Sequence, residues 1–138
     1  MASARGWAAY AEGRFEEAGA AHALAAEGAP FVTTRISSLL NAASAYLEAG
    51  RFDAAARIAS EAGAFARPRR HVLLEARAEW LGRAAAYRRG DDLVPDGDLV
   101  VASRQLGNPQ VAGAVALGEA AIAWRGGRLD EALTYARQ

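Results

Sequence analysis

The feature that most constrains this chain is a glycine that recurs at nearly constant spacing. Glycines at positions 13, 50, 90 and 127 are separated by 37, 40 and 37 residues. Three of them open the same short motif, which reads Gly-Arg-Phe-Glu, Gly-Arg-Phe-Asp and Gly-Arg-Leu-Asp. Each glycine lies between two stretches that favour helix, where it predicts a tight helix-to-helix turn. A motif repeated at this period indicates a repeat protein.

The residues after each glycine predict how the paired helices pack. We expect a large apolar side chain two residues after the glycine to insert between the two helices. Three residues further on, an alanine on the same face allows the helices to approach closely. The large residues are Phe15, Phe52 and Leu129, and the alanines are Ala18, Ala55 and Ala132.

Composition predicts an all-α fold. The 138 residues include 37 Ala, the best helix former, but only ten Val and Ile together. The 16 basic residues are all Arg and are balanced by 16 acids, which argues against direct nucleic-acid binding. The absence of cysteine excludes disulfides, thiolate catalysis and Cys-ligated zinc. The bias toward Ala and Arg is typical of GC-rich bacterial genomes.

Eight helices follow from the pattern. Pro30, Pro68 and Pro109 are expected at helix starts, with Asn108 as an N-cap. In the third repeat Pro95 delays the second helix until about Asp98. We find neither a signal peptide nor an apolar stretch of membrane-spanning length, and therefore expect a cytoplasmic protein without a membrane partner. The predicted helices are 2–12, 15–27, 31–49, 52–65, 69–89, 98–106, 109–125 and 128–137.

At these positions the chain resembles the tetratricopeptide repeat (TPR). The first repeat matches the motif with Gly6, Gly13, Phe15, Ala18, Ala25 and Pro30, the second with Ala43, Gly50, Phe52, Ala55 and Ala62, and the fourth with Ala120, Gly127, Leu129 and Ala132. The third departs, because Asp92 replaces the aromatic residue. The resemblance implies one domain over 1–138, with repeats at about 1–30, 31–67, 68–107 and 108–138. These would form a right-handed α-α superhelix, a solenoid of about four antiparallel helix hairpins. The long spacing is also loosely similar to the repeat regions of large bacterial LuxR-type transcription regulators.

In TPR proteins the first helix of each pair lines a concave groove, and this implies a partner-binding surface here. Aromatic and Arg side chains are typical interface anchors. Ordinary packing between repeats is the alternative explanation for the same residues. The candidate partner-binding residues are Trp7, Tyr10, Arg77, Trp80, Tyr87, Arg88, Trp124 and Arg125. The same register adds Ser37, Leu40, Ser44, Leu47, Glu48, Ala84, Ala114, Leu117 and Ala121.

Other clusters predict little chemistry. Arg67, Arg69, Arg70 and His71 would oppose the dipole of the next helix, which raises the prospect of an anionic partner. Asp91, Asp92, Asp96 and Asp98 do not have EF-hand spacing, and helix capping explains them better. His22 and His71 lie in different repeats, so a metal site or a catalytic triad is not expected. We therefore predict no enzyme, no metal and no cofactor.

The sequence thus predicts a non-catalytic scaffold that binds a protein or peptide through its groove. The alternatives are a ligand-sensing or oligomerisation module of a bacterial transcription regulator, and a dimerising spacer. We expect another protein surface to bury three side chains of the last helix, Leu129, Leu133 and Tyr135. We expect either a homodimer through the C-terminal hairpin or a longer chain.

Overall fold

The computed structural model describes residues 2–137, which form eight α-helices, one 3-10 turn and no strand. The all-α prediction is confirmed, and most helix ends lie within two residues of the predicted ones. None of the helices in this range combines the length and hydropathy needed to cross a membrane. The helices are α1 Ala2–Ala11, α2 Phe15–Glu27, α3 Val32–Glu48, α4 Phe52–Ala66, α5 Val72–Arg89, α6 Gly97–Arg104, α7 Pro109–Arg125 and α8 Leu129–Ala136.

All four repeated glycines close their turns in the same way. The N–H of Gly13 donates to the carbonyl of Tyr10 (3.0 Å), and the next N–H, of Arg14, donates to the carbonyl of Ala9 (2.8 Å). The same two bonds recur at Gly50, Gly90 and Gly127. All four have φ between 76° and 96°, the left-handed region in which a Cβ is unfavourable. The predicted helix-to-helix turns are confirmed.

The third turn differs only in the segment that comes after it. After Gly13, Gly50 and Gly127 a new helix begins two residues later, but after Gly90 residues 91–96 are not helical. The carboxylate of Asp96 then accepts the N–H of Leu99 at 3.0 Å and caps α6, which begins at Gly97. The delayed second helix and the capping role of an aspartate are confirmed.

Helix α5 begins at Val72, three residues later than predicted. A 3-10 turn over Arg67–Arg69 extends α4, and Arg70 ends it in the left-handed conformation (φ 51°). Arg69 donates to the carbonyl of Phe65 at 2.9 Å, and Arg67 lies 3.7 Å from Glu75. The basic cluster therefore lies between two helices. Arg67 and Arg69 come after the C-terminal end of α4, where positive charge is favourable, whereas Arg70 and His71 directly precede α5, where positive charge opposes the helix dipole as predicted.

The described helices form two compact units, one that ends at Ala85 and one that begins at Ala86, so that the boundary falls inside α5. In the first unit α1, α2, α3 and α4 each pack against the next helix in sequence. In the second unit α7 packs against both α6 and α8. The single domain over 1–138 and the superhelix stay predictions.

Alanine dominates the core of the first unit. The larger apolar side chains at its centre are Ile36, Leu40 and Leu81, each at most 1% exposed. Ala18 and Ala55, which we predicted to allow close helix approach, are 0% and 1% exposed. Cores of this kind depend on short distances between helices, because alanine fills little volume.

Two glycines inside helices lie in close contact with a ring of the neighbouring helix. A methyl group at position 19 would lie 2.8 Å from the ring of Tyr46, so α3 packs directly against the backbone of α2. A methyl group at position 6 would lie 2.7 Å from Nε2 of His22, which brings α1 equally close to α2. Both contacts fix the helices at distances that any side chain would prevent.

The second unit contains a buried carboxylate. Glu119 of α7 is 2% exposed. It accepts a hydrogen bond of 2.7 Å from the N–H of Asp96, the residue just before α6. A methyl group at Gly97 would lie 2.9 Å from the hydroxyl of Tyr135 in α8. Burial, followed by the charge of Glu131 and Glu119, raises the pKa of Tyr135. These contacts join the start of α6 to α7 and α8.

Candidate protein-binding surfaces

In the first unit, Trp7 belongs to a run of aromatic rings. Its indole is 53% exposed, and it meets His22 edge-on at 4.9 Å and Tyr10 at 6.4 Å between ring centroids. Tyr10 in turn meets Phe15 at 5.1 Å. The run extends from the surface of α1 to the turn at Gly13. Trp7 is therefore held in place by packing while half of it faces solvent.

The predicted residues of α3 divide into two groups. Leu40 and Leu47 are buried, at 0% and 6% exposure, and belong to the core of the first unit. Their prediction as groove residues is wrong, because packing against neighbouring helices takes up their side chains. Ser37 and Ser44 are half-buried and Glu48 is exposed.

On α5, Trp80 lies at the edge of the same core, and Arg77 is one helical turn before it. The Trp80 indole packs against the core cluster and is partly exposed. Arg77 is half-buried, and the loss of solvent lowers the pKa of its guanidinium. Both side chains are therefore partly buried and partly exposed, as interface anchors commonly are.

In the second unit, Tyr87 and Arg125 are in contact with each other. The guanidinium of Arg125 lies 3.9 Å from the centre of the Tyr87 ring. Its two terminal nitrogens donate to the carbonyls of Tyr87 (2.5 Å) and Asp91 (2.6 Å). Arg125 thereby binds the end of α5, a role that sequence spacing did not indicate. Arg88, the next residue on α5, is exposed.

An apolar stripe runs along the exposed face of α7. Leu117 and Trp124, seven residues apart, are 65% and 66% exposed. Ala114 and Ala121 lie on the same face and are half-buried. Residues separated by three, four and seven positions share a helix face, so these four form one continuous surface of two large and two small side chains. We call it the α7 stripe.

A groove that the sequence analysis missed lies in the first unit, between α2 and α4, with α3 beneath it. Its volume is about 500 Å³, and the residues that line it come from all three helices. Three arginines and three glutamates are among them: Arg35, Arg51, Arg57, Glu16, Glu27 and Glu61. The TPR register directs attention to the first helix of each pair, whereas this groove is formed mainly by second helices. We call it the α2–α4 groove.

Among residues 2–137 no group of three or more His, Asp or Glu side chains could hold a metal ion. His22 is fully buried, and within this range neither of its ring nitrogens has a hydrogen-bond partner. Asp91 pairs with Arg89 at 2.6 Å, and this hydrogen bond lowers the pKa of Asp91. Of the acidic residues near α6, Asp91 therefore forms an ion pair and Asp96 caps the helix.

No family model matches the chain, and no curated protein or solved structure is significantly similar to it.

Proposed function

We propose that this chain is a TPR-like scaffold of bacterial, cytoplasmic type that binds a protein or peptide partner without catalysing a reaction. In this proposal about four antiparallel hairpins stack into a right-handed superhelix, and the first helices of the pairs face the partner. The four turns with one shared pair of hydrogen bonds support a repeat design. The match of Gly13, Phe15 and Ala18 to the TPR motif supports the family.

The observation that carries the proposed binding function is the α7 stripe. Leu117 and Trp124 each expose about two thirds of their surface, although apolar side chains of this size favour burial. The smaller Ala121 lies between them on the same face and is half-buried. A partner with an apolar helix or an extended apolar segment would cover the two large side chains and contact Ala121. Preformed helices lose little conformational entropy when such a partner docks.

Peptide selection tests this function with an unbiased set of ligands. A random peptide library displayed on phage is selected against the immobilised protein, and the affinities of the selected peptides are measured by fluorescence. We expect Trp124→Ala to weaken their binding at least about tenfold, as removal of a central aromatic anchor does at other interfaces. Leu117→Ala should weaken the same peptides.

The matched control is Val101→Ala, which removes an apolar side chain that is 48% exposed on α6. It should leave the affinities unchanged. Because Trp124 is mostly exposed, Trp124→Ala should keep the melting temperature of the parent protein. Peptides that bind Trp124→Ala and Leu117→Ala as tightly as the parent would contradict the proposed binding surface.

A second observation favours self-association as an alternative function. Leu129 and Leu133 on α8 are 52% and 50% exposed, whereas Phe52 and Ala56, at the equivalent places on α4, are partly buried against the core. The predicted insertion of a large side chain is therefore found for Phe52 and not for Leu129. We propose that a second copy of the chain covers α8 in a homodimer.

Sedimentation equilibrium at micromolar concentration tests the homodimer. We expect a dimer for the parent protein and a monomer for Leu133→Glu, because a buried, unpaired carboxylate is unfavourable. Leu24→Glu alters a side chain of similar exposure (54%) on α2 and should leave the dimer intact. A parent protein that is monomeric throughout the concentration range would exclude this alternative.

A further inference from the structure

The α2–α4 groove has the size of a small-ligand site. Helix α3 runs antiparallel to its two neighbours, so α2 and α4 run parallel on either side of it. The volume of about 500 Å³ is within the range of small-molecule sites, roughly 300–1,000 Å³. From Glu16 to Glu27 the wall formed by α2 extends about 16 Å, at 1.5 Å per helical residue.

One end of the groove is closed by an ion pair. Arg51, at the start of α4, donates to the carboxylate of Glu16 near the start of α2. This contact connects the two walls. It also satisfies both charges, so that neither is available to a ligand.

The charges toward the other end are not paired with each other. Arg57 and Glu61 are separated by four residues on α4, a spacing that permits an ion pair, yet neither makes an ion pair or hydrogen bond within the described part of the chain. The same is true of Glu27 on α2. Arg35 on α3 is held by a bond from Nε to the carbonyl of Ala26 (3.3 Å), with its guanidinium 5.7 Å from the centre of the Phe65 ring. Two cations and two carboxylates without ion-pair partners therefore line one groove.

Apolar side chains complete the lining. Leu39 of α3 and Ile58 of α4, which are 6% and 5% exposed, line the groove together with Ala23 and Ala54. A ligand complementary to this lining carries one positive group, one negative group and an apolar part.

We propose that the α2–α4 groove binds a short peptide with free termini and an apolar side chain. Its carboxylate pairs with the guanidinium groups of Arg57 and Arg35, which bind carboxylates in a bidentate fork. Its ammonium group pairs with Glu27 and Glu61, and its side chain contacts Leu39 and Ile58. Because the ion pair of Arg51 with Glu16 closes one end, the peptide occupies the part of the groove toward Glu27. At about 3.3 Å per residue, an extended tripeptide spans roughly 10 Å there. This site goes beyond the proposed scaffold function and shares no residue with the α7 stripe.

Isothermal titration calorimetry with the full chain tests the proposal, with alanyl-leucyl-alanine as the probe. We expect binding at millimolar peptide or below. N-acetylation or C-amidation of the peptide should each weaken binding by about tenfold, since each removes one charged group that the groove recognises. Arg57→Gln should weaken binding of the free peptide and have much less effect on the amidated one. Glu61→Gln should likewise weaken binding of the free peptide and have much less effect on the N-acetylated one.

Three results would overturn this inference. They are no heat of binding at millimolar peptide, equal affinity for the free and the doubly blocked peptide, and binding unaffected by both Arg57→Gln and Glu61→Gln. Tighter binding of free leucine than of the tripeptide would also overturn the assignment to a peptide. Arg137→Gln, which removes an exposed charge on the second unit, is the matched control and should bind as the parent does. Circular dichroism of each variant shows whether it is still folded, so that a loss of peptide binding can be assigned to the altered groove.

Discussion

The imidazole of His22 lies against the backbone of Gly6, in the space that a side chain at position 6 would need. Its Nε2 would be 2.7 Å from a methyl group there, and two ring carbons would be 2.8 Å from it. The ring is fully buried and has the Trp7 indole edge-on at 4.9 Å. The contact sets the separation of α1 and α2, so it makes the stability of the first hairpin sensitive to both residues.

We predict that Gly6→Ala destabilises the protein by about 1–3 kcal/mol, because overpacking at a buried contact exceeds the helical preference for alanine. Urea unfolding monitored by circular dichroism measures the change. Gly82→Ala and Gly113→Ala are matched controls, since they lie inside helices with open space around the new methyl group. They should stabilise the protein by about 0.5–1 kcal/mol. A stabilising Gly6→Ala would show that the His22 ring moves aside freely.

Stability should fall as the pH drops below the ordinary histidine pKa. Burial lowers the pKa of His22 from its usual 6.5, so the unfolded chain takes up a proton at a higher pH than the folded one. Stability is therefore full above pH 6.5 and declines as the pH falls from 6.5 toward the folded pKa. The loss is about 1.4 kcal/mol for each unit of pKa depression.

Thermal unfolding at several pH values between 7 and 5 measures this loss. His71→Gln removes the other histidine and should leave the decline unchanged. In the same variant an NMR titration follows the single remaining imidazole. A resonance that titrates at or above pH 6.5 would contradict the buried, neutral state of His22.

We predict that the repeated glycines resist substitution for a backbone reason. Gly50 has φ 78°, so Gly50→Ala should cost about 1–2 kcal/mol although no atom lies within 4 Å of the new methyl group. Gly28, where φ is −89°, is the comparison. Gly28→Ala should leave the free energy of unfolding almost unchanged. Equal effects of the two substitutions in urea unfolding would rule out the left-handed turn as the cause.

We predict that loss of the acceptor oxygen of Glu119 lowers the stability of the protein more than loss of its charge does. Glu119→Ala leaves the N–H of Asp96 without its partner, which costs about 1–3 kcal/mol, and it also opens a cavity. Glu119→Gln keeps an oxygen at that place and should cost less. If chemical denaturation gives the same loss for both variants, the hydrogen bond to Asp96 is not what stabilises the start of α6.

The local features of the fold followed from the sequence because their causes are local. A glycine at φ near 78°, an Asn108 side chain that accepts the N–H groups of Gln110 and Val111 at 3.1 Å, and an Asp96 cap are each determined by a few adjacent residues. The all-α class followed from the abundance of alanine.

The candidate surfaces were only partly predictable, since they depend on contacts between distant residues. Leu40 was expected on a surface and is buried, because the register of one helix does not reveal which faces its neighbours cover. Arg125 also donates to the carbonyls of Tyr87 and Asp91, and the sequence did not indicate these contacts because the positions of the two carbonyls depend on where α5 ends. Its binding of a partner stays a prediction. The α2–α4 groove is formed by three helices together, and the contact of Gly19 with Tyr46 sets the separation of two of them, α2 and α3. The sequence pattern of a single helix does not reveal such a site.

The shared turn geometry has a consequence for how a gene of this kind can change length. Gly13 and Gly50 have the same φ of 78° and both precede an Arg-Phe pair, so the chain segments on either side of the two turns are interchangeable at the join. An in-frame loss of the 37 codons from Arg14 to Gly50 would connect Gly13 to Arg51 with the turn unaltered. Unequal recombination at such points adds or removes a whole pair of helices without requiring a new connection.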